Sequence, residues 1–423
     1  MTTPHKGKQS GSIKLRDYDP SQDKNAVHRI WQEVGWLEKD KEKEKAADLV
    51  IECGRALVAE VNGEAECLVN TAPSTMRYLS EELPFSAITG VTTSRIARKR
   101  RLARRLTAKA VALDAAAGAL VAGLGIFEQG YYNQLGFGSG GYEHWIAFDP
   151  AGLAVSAKAR IPRRITSEDW ALVHTSRLTR LRGHGSCNLT PAEITRSDML
   201  WNDKGFGLGY CDGPGGELTH HFWCRMKDAE HGPYTITWIS FQTPDQFLEL
   251  MALLKSLGDQ VRLVRIREPQ GIQLQDLIRQ PFKRRQVTEK SKFESHMHAL
   301  AYWQMRICDL PACLERTHLK SDEVCFNLTL TDPIERFLDD HAPWHGIAGD
   351  YVVTLGPCSH AERGRSASLP TLIASTGAFT RLWLGVRPAT GLAITDEIHG
   401  PPGLLEKLDW ALRLPEPKPD WDF

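Results

Sequence analysis

Seven of the eleven positions at 95–105 are basic: Arg95, Arg98, Lys99, Arg100, Arg101, Arg104 and Arg105, within the stretch VTTSRIARKRRLARRL. Anion binding is the first chemistry such a run suits. A helix is predicted over 101–117, with Leu102, Leu106, Ala110 and Leu113 on one face and Gly118 ending it. A helix N-terminus carries roughly half a positive charge and unsatisfied N–H groups, so cations there are misplaced unless an anion lies among them. Strand, loop and helix start together make a phosphate cradle, and arginines add charge-assisted contacts. A solvated basic helix face accounts for the charge equally well. Nucleic-acid binding fits poorly, since no aromatic residue interleaves the arginines for stacking. The 52 Lys and Arg also cancel the 52 Asp and Glu, so the molecule as a whole is no polyanion binder.

Other chemistry-bearing residues offer less. His220 and His221 lie near Cys211 and Cys224, but adjacent strand residues point to opposite faces, so no metal site is expected there. His341 and His345 bracket APW without a third ligand, and DGPGG is a turn. The nine cysteines are scattered with no CxxC pair, which favours free thiols in a reducing compartment. Residues 1–12, MTTPHKGKQSGS, lack the apolar core of a signal peptide, and no segment approaches ~20 uninterrupted apolar residues. The expectation is a soluble, cytoplasmic protein with a disordered start at 1–12 and no membrane partner.

At 423 residues the chain has room for two or three domains. IKLRDYD is strand-like, and NAVHRIWQEVGW has helical spacing. DLVIECGRALVAEVNGEAECLVNTAP is predicted as strands around the turn Asn62-Gly63. FSAITGVTT, ALVAGLGIF and YEHWIAFD complete the strands of an α/β domain over 13–150. A second unit over 151–294 runs through GLGYCDG, LTHHFWCRM and YTITWISF to the helix PDQFLELMALLKSLG and the strand VRLVRIREP. That order repeats the first unit without the basic loop. A third, α+β domain over 295–423 is predicted from helix AYWQMRICDLPACLERT, strands VCFNLTLTD and GDYVVTLG, and helical LPTLIASTGAFTRLWLG and PPGLLEKLDWALRL, ending in the Pro-rich PEPKPDWDF.

The basic stretch resembles the pyrophosphate-binding loop of the GCN5-related N-acetyltransferases, R-x-x-G-x-A between a strand and a helix. Arg98, Lys99, Arg100, Arg101, Leu102 and Ala103 occupy that loop. Arg101 stands where the family has glycine, and Arg95 where proline is common. EQGYYNQLGFGSGGYEHW (128–145) resembles the segment of the enhanced-intracellular-survival family that sets a tyrosine, here Tyr132, before a G-[FY]-G turn, here Gly136-Phe137-Gly138. The third domain is similar to that family's sterol-carrier-protein-like module, AYWQMRICDLP on its opening helix and TGAFTRLWLG on its Leu-Gly-rich helix. The closing PDWDF is similar to that family's aromatic, acidic, phenylalanine ending.

The resemblance implies two tandem GNAT-like domains, the second degenerate, followed by a sterol-carrier-protein-like domain with a catalytic tail. It implies an acetyl-CoA-dependent N-acetyltransferase acting on a primary amine of a polycationic small molecule, aminoglycoside-like, or on lysine. A homo-oligomer, commonly a hexamer, and no metal are also implied. The α-carboxylate of Phe423 would be the base and the Tyr132 phenol the acid for the leaving thiolate. The backbone at Val91 and Thr93 would hold the pantetheine arm, and Trp36 and Asp422 would form the amine pocket. The alternative is a catalytically degenerate protein, its coenzyme A use ended by Arg101, that binds an apolar ligand or a protein partner.

Overall fold

The computed structural model describes residues 13–202, 204–281 and 290–423; the stretch at 1–12, expected to be disordered, lies outside them. The first part runs β1 (Ile13–Asp17), α1 (Pro20–Glu33), α2 (Lys41–Glu52), β2 (Arg55–Val61), β3 (Glu64–Tyr78), β4 (Glu81–Thr93), α3 (Leu102–Ala116), β5 (Val121–Gly125), β6 (Gly138–Ser139) and β7 (Glu143–Phe148). Then follow β8 (Arg163–Ile165), α4 (Trp170–Leu178), β9 (Cys187–Leu189), α5 (Ala192–Leu200), β10 (Gly205–Tyr210), β11 (His220–Met226), β12 (Tyr234–Ser240), α6 (Pro244–Ser256), β13 (Val264–Arg267) and β14 (His296–Leu300). The last part holds β15 (Trp303–Ile307), α7 (Leu310–Glu315), β16 (Val324–Thr331), β17 (Gly349–Leu355), β18 (His360–Arg363), β19 (Thr371–Ser375), α8 (Thr376–Trp383), α9 (Ala389–Thr395), β20 (Ile398–His399) and α10 (Pro402–Ala411).

Two sheets follow one plan. In the first, β1 to β4 pair antiparallel in order, α3 crosses over, and β5 returns parallel to β4. In the second, β8, β10, β11 and β12 pair antiparallel, α6 crosses over, and β13 returns parallel to β12. The second unit is thus a second copy of the first plan, as its element order predicted. The connection before its helix shrinks to 241–243, against 94–101 in the first unit. The third sheet has the order β18-β17-β16-β19-β20. Among the described residues no helix is long and apolar enough to cross a membrane.

Four expectations are corrected. DLVIE closes helix α2 instead of forming a strand: Asp40 caps that helix, its Ala46, Ala47 and Ile51 face inward, and the chain turns at Gly54, where a Cβ would meet the Thr71 carbonyl oxygen at 2.0 Å. AYWQMRI is not a helix. It is β15, whose apolar Trp303, Met305 and Ile307 alternate with Gln304 and Arg306, a period-two pattern, and only LPACLE turns helical behind its Asp309 cap. LPTLIAS is largely strand β19, parallel to β16, and helix α8 begins only where Ser375 caps it.

The fourth correction concerns which strands make which sheet. β15 inserts into the first sheet between β5 and β6, while β7 leaves it and pairs with β13 and β14 in the second. The boundaries at 150 and 294 therefore do not delimit the sheets. Placing β15 between β5 and β6 buries its polar residues too. Gln304 donates to Asn133 and Ser139, and the fully buried Arg306 pairs with the fully buried Asp332 at 2.6 Å. A buried guanidinium deprived of its partner, or a carboxylate deprived of its guanidinium, is costly. Arg306→Ala should therefore destabilise the protein by about 3–5 kcal/mol, measured by urea titration. A loss below about 1 kcal/mol would mean that Asp332 is satisfied without it.

Candidate active site

β4 and β5 pair from Phe85↔Val121 to Ile88↔Leu124 and then separate. Among the described residues the edge of β4 that faced β5 has no strand partner beyond Ile88. At that point β4 carries a bulge against β3: Asn70 opposes Gly90 and Thr71 opposes Ile88, so Thr89 is the extra residue. The Asn70 amide donates to the Thr89 hydroxyl. Val91 and Thr93 follow on the same strand, half-buried.

Beyond β4 the basic loop leads into α3. Arg101 holds a left-handed backbone conformation, φ 61° and ψ 16°, and Lys99 has φ 63°. Glycine enters that region freely, whereas an L side chain enters at a cost of about 1–2 kcal/mol. Arg101 therefore keeps the backbone form that a glycine would supply, with its side chain exposed. Arg98, Lys99, Arg100 and Arg105 are exposed as well, and among the described residues none of the five has an ion-pair partner. The Arg95 guanidinium donates to the Glu33 carbonyl at 3.1 Å, and the Arg95 backbone N–H to the Glu33 carboxylate at 2.7 Å. Leu102 is buried, Ala103 half-buried, and no side chain caps the start of α3. The buried Ser94 hydroxyl just after β4 has no hydrogen-bond partner among the described residues. Unpaired cations, uncapped N–H groups and an orphan hydroxyl converge here, and a phosphate-bearing group fits all three.

The C-terminal segment runs across the second unit and back to the fork. Backbone bonds anchor it first: Lys418 N–H donates to the His184 carbonyl at 3.1 Å, and Cys187 N–H to the Pro419 carbonyl at 2.8 Å. Arg180 then pairs with Asp420 at 2.5 Å, and Trp421, 2% exposed, lies under the Arg177 guanidinium at 3.7 Å. Asp422 accepts from Tyr302 at 2.6 Å and pairs with Arg267 at 2.9 Å. The Asp422 side chain stays more than half exposed, and the Arg267 guanidinium and the Tyr302 hydroxyl hold its carboxyl below the usual 3.8. Finally a main-chain oxygen of Phe423 accepts from Gly125 N–H at 3.2 Å, at the end of β5, and its ring packs edge-on to Phe85 at 5.5 Å.

Phe423 and Asp422 line a cleft of about 340 Å³ together with Trp31, Trp36, Trp201 and Asp198. Trp36 lies 5.7 Å from both Trp31 and the exposed Phe127. Burial pushes the Asp198 carboxyl up, opposed by Arg177, which donates to it at 2.8 Å. Aromatic faces beside two carboxylates suit a cation. Tyr132 is not in that cleft. It packs in the apolar cluster that holds Ile88, Val91, Leu102 and Leu124, edge-on to Tyr131 at 4.8 Å. Burial, with Tyr131 and Cys67 adding to it, pushes its phenol well above the usual tyrosine value, so it keeps its proton at neutral pH.

The structure thus gathers Trp36, Asp422 and Phe423 in one cleft and sets the basic loop beyond β4. Sequence reasoning missed Asp198, Trp201 and Thr89, and also the tail anchors Arg180, Arg267 and Tyr302. Their separations of up to 240 positions carry no short-range pattern. His220 and His221 do point apart. His220 meets Glu249 while His221 meets Ser176 and Trp238, and burial lowers the His221 pKa to about 3. Asp212, His220 and Glu249 come within metal-ligating reach of one another, but the Arg160 guanidinium already pairs with both carboxylates, at 2.7 and 2.8 Å.

Residues 17–140 match the family model of the acetyltransferase (GNAT) domain. Together with the forked sheet and its uncapped helix start, that match defines the class: an N-acetyltransferase. Among solved structures the chain is similar to a protein from Enterococcus faecalis V583 described as a probable N-acyltransferase, at 16% identity and TM-score 0.77 over 97% of this chain and 100% of that one. It is similar to a GCN5-related N-acetyltransferase from Kribbella flavida at 17% identity and TM-score 0.75, over 99% and 100% of the two chains. It is likewise similar to Eis1 from Mycobacterium abscessus at 16% identity and TM-score 0.75, over 97% and 100%. At such identities the likeness speaks for the fold. No curated protein matches the chain significantly by sequence.

Two outcomes follow from this geometry. Because the folded pKa of Asp422 is depressed, its contribution to tail docking is complete above 3.8 and is lost as pH falls through the lowered value. Hydrogen-exchange protection of the Gly125 amide should stay level from about pH 8 to about pH 5 and fall only below about pH 4. Decay already near pH 6 would assign the docking to another group. Separately, Arg101→Gly should raise stability by about 1 kcal/mol by relieving the left-handed side chain, read by thermal unfolding. A loss of stability would show that the Arg101 side chain is held by contacts.

Proposed function

We propose that this chain transfers the acetyl group of acetyl-CoA to a primary amine of a cationic acceptor, either a polycationic small molecule of the aminoglycoside kind or a lysine. The observation that carries this reading is the docking of Phe423 on Gly125 N–H. It sets the last residue of the sequence at the mouth of the β4–β5 fork, in the same cleft as Asp422, Asp198 and the tryptophans.

In this reading Arg98, Lys99, Arg100, Arg101, Leu102 and Ala103 bind the pyrophosphate, and the free edge of β4 at Val91 and Thr93 takes the pantetheine arm. Asp422 and Asp198 attract the ammonium form of the acceptor, and Trp36 walls it. The Phe423 α-carboxylate removes the proton, and the amine nitrogen attacks the thioester carbonyl. The C–N bond forms, the C–S bond breaks, Tyr132 gives its proton to the leaving thiolate, and the second proton shed by the acylated nitrogen restores the phenol, leaving the amide, the free thiol and the proton held by the carboxylate. The third unit is taken as sterol-carrier-protein-like and the assembly as a homo-oligomer, with no nucleic acid as partner. Nine free thiols support a reducing, cytoplasmic setting. The alternative, a degenerate binding protein, draws on Arg101 standing in the glycine position. The left-handed backbone and exposed side chain at Arg101 do not favour it.

Extending the chain by a few residues past Phe423 turns its carboxylate into an amide. That change should abolish turnover while calorimetry still shows saturable acetyl-CoA binding. Tyr132→Phe should slow the chemical step about 10²-fold or more with little change in acetyl-CoA affinity. Unchanged turnover in the extended chain would sink the terminal base, and absence of micromolar acetyl-CoA binding would sink the enzyme reading.

A further inference from the structure

The second sheet contains a fork of its own. β12 and β13 pair only at Tyr234↔Val264 and Thr235↔Arg265 and then diverge. Between them lies a cavity of about 660 Å³, within the range of small-molecule sites. One part of its wall is apolar, with Ile236, Trp238 and Ile239 from β12, Phe247 and Leu248 from α6, and Ile266 from β13, and the rest carries charges of both signs, Arg180, Arg182 and Lys418 against Glu268, Asp276 and Asp420.

The helix start at this fork differs from that of α3. The start of α6 is capped by the Thr243 hydroxyl, completed as a capping box by Gln246, and carries Asp245 in its first turn. The Gln246 N–H is thus satisfied, and Asp245 opposes an anion at this helix end. Yet the lining keeps four buried hydrogen-bonding atoms without a partner among the described residues: Oε1 of Glu143, Oε1 of Gln270, the Thr237 hydroxyl and Nε of Arg182. Glu143 is 1% exposed and accepts from Arg267 at 3.0 Å through Oε2. Its Oε1 is buried and has no partner among the described residues, and the same holds for the Thr237 hydroxyl. Both residues line the cavity. Buried polar atoms are seldom left unpaired, and a lone carboxylate oxygen calls for a donor.

We propose that the β12–β13 fork binds an uncharged small molecule with an extended apolar body and a hydrogen-bond-donating head, an amide or a hydroxyl, directed at Glu143 and Thr237. Arg267, which pairs with Glu143, also pairs with Asp422, so the site adjoins the acceptor cleft through one shared side chain. Two sources share this chemistry: the apolar end of the acceptor itself, or a separate ligand.

The test uses the full-length protein with Nile red and n-alkyl carboxamides up to decanamide, and with decanoate as the anionic control. Nile red fluorescence should rise saturably, and decanamide should displace it at least about tenfold more tightly than decanoate. Leu248→Trp, which fills the cavity, should weaken decanamide about tenfold or more. Should that variant not fold, Thr237→Val, which keeps the shape and removes the hydroxyl, should weaken it about threefold or more. Absence of saturable Nile red uptake, or unchanged decanamide affinity in the folded variant, overturns the site. Acetylation of n-alkylamines then separates the sources. A kcat/KM that climbs with chain length, but not in Leu248→Trp, assigns the fork to the acceptor, whereas bound decanamide with no chain-length effect assigns it to a separate ligand. The binding arms need no turnover, so failure of the acetyl-transfer reading leaves them intact.

Discussion

Everything at the candidate site depends on where the last four residues lie. Asp420, Trp421, Asp422 and Phe423 are held by Arg180 and Arg267 from the second unit, by Tyr302 just before β15, and by Gly125 from the first fork. Chain ends ordinarily fray. This one is stiffened by Pro415, Pro417 and Pro419, which limit the freedom lost on docking, and its apolar weight sits in the buried Trp421. The guanidiniums of Arg180 and Arg267 are themselves nearly buried, so the segment and its anchors satisfy one another's charge.

Strand exchange makes that anchoring possible. Because β15 returns to the first sheet and β7 departs to the second, the two sheets cannot separate without breaking ladders on both sides. Arg267 at the end of β13 and Gly125 at the end of β5 are thereby held in fixed relation, and the cleft lined by Trp36, Asp198, Trp201 and Phe423 is built from both units. The paired Arg306 and Asp332 extend the same lock to the third unit.

The two forks show how one plan diverges. Both open where a parallel pair of strands runs out, after four residue pairs in the first and two in the second. What differs is the helix that follows. α3 starts uncapped behind a long basic loop, while α6 starts capped, acidic and almost at once. The helix end and the basic loop together suit the first fork to an anion, and the capped, acidic helix end removes that feature from the second.

Much of the local structure was legible because it is local chemistry. The position of α3, the turn at Asn62-Gly63, the start of α6 at Pro244 and the repeat of the strand-helix-strand plan all follow from periodicity and turn chemistry. Errors arose where a short element abuts one of another kind. β15 alternates for only five residues before the helix LPACLE, so the two together resemble one helix, and DLVIE ends α2 three residues before strand β2 begins. The sequence by itself determined the basic loop, the repeated plan and the aromatic, acidic ending. Only the tertiary structure decided that Arg101 adopts the glycine conformation, that Asp198 and Trp201 complete the cleft, and that Phe423 meets Gly125. Those outcomes rest on contacts between residues up to about three hundred positions apart, set by strand exchange and charge pairing, which no local spacing encodes.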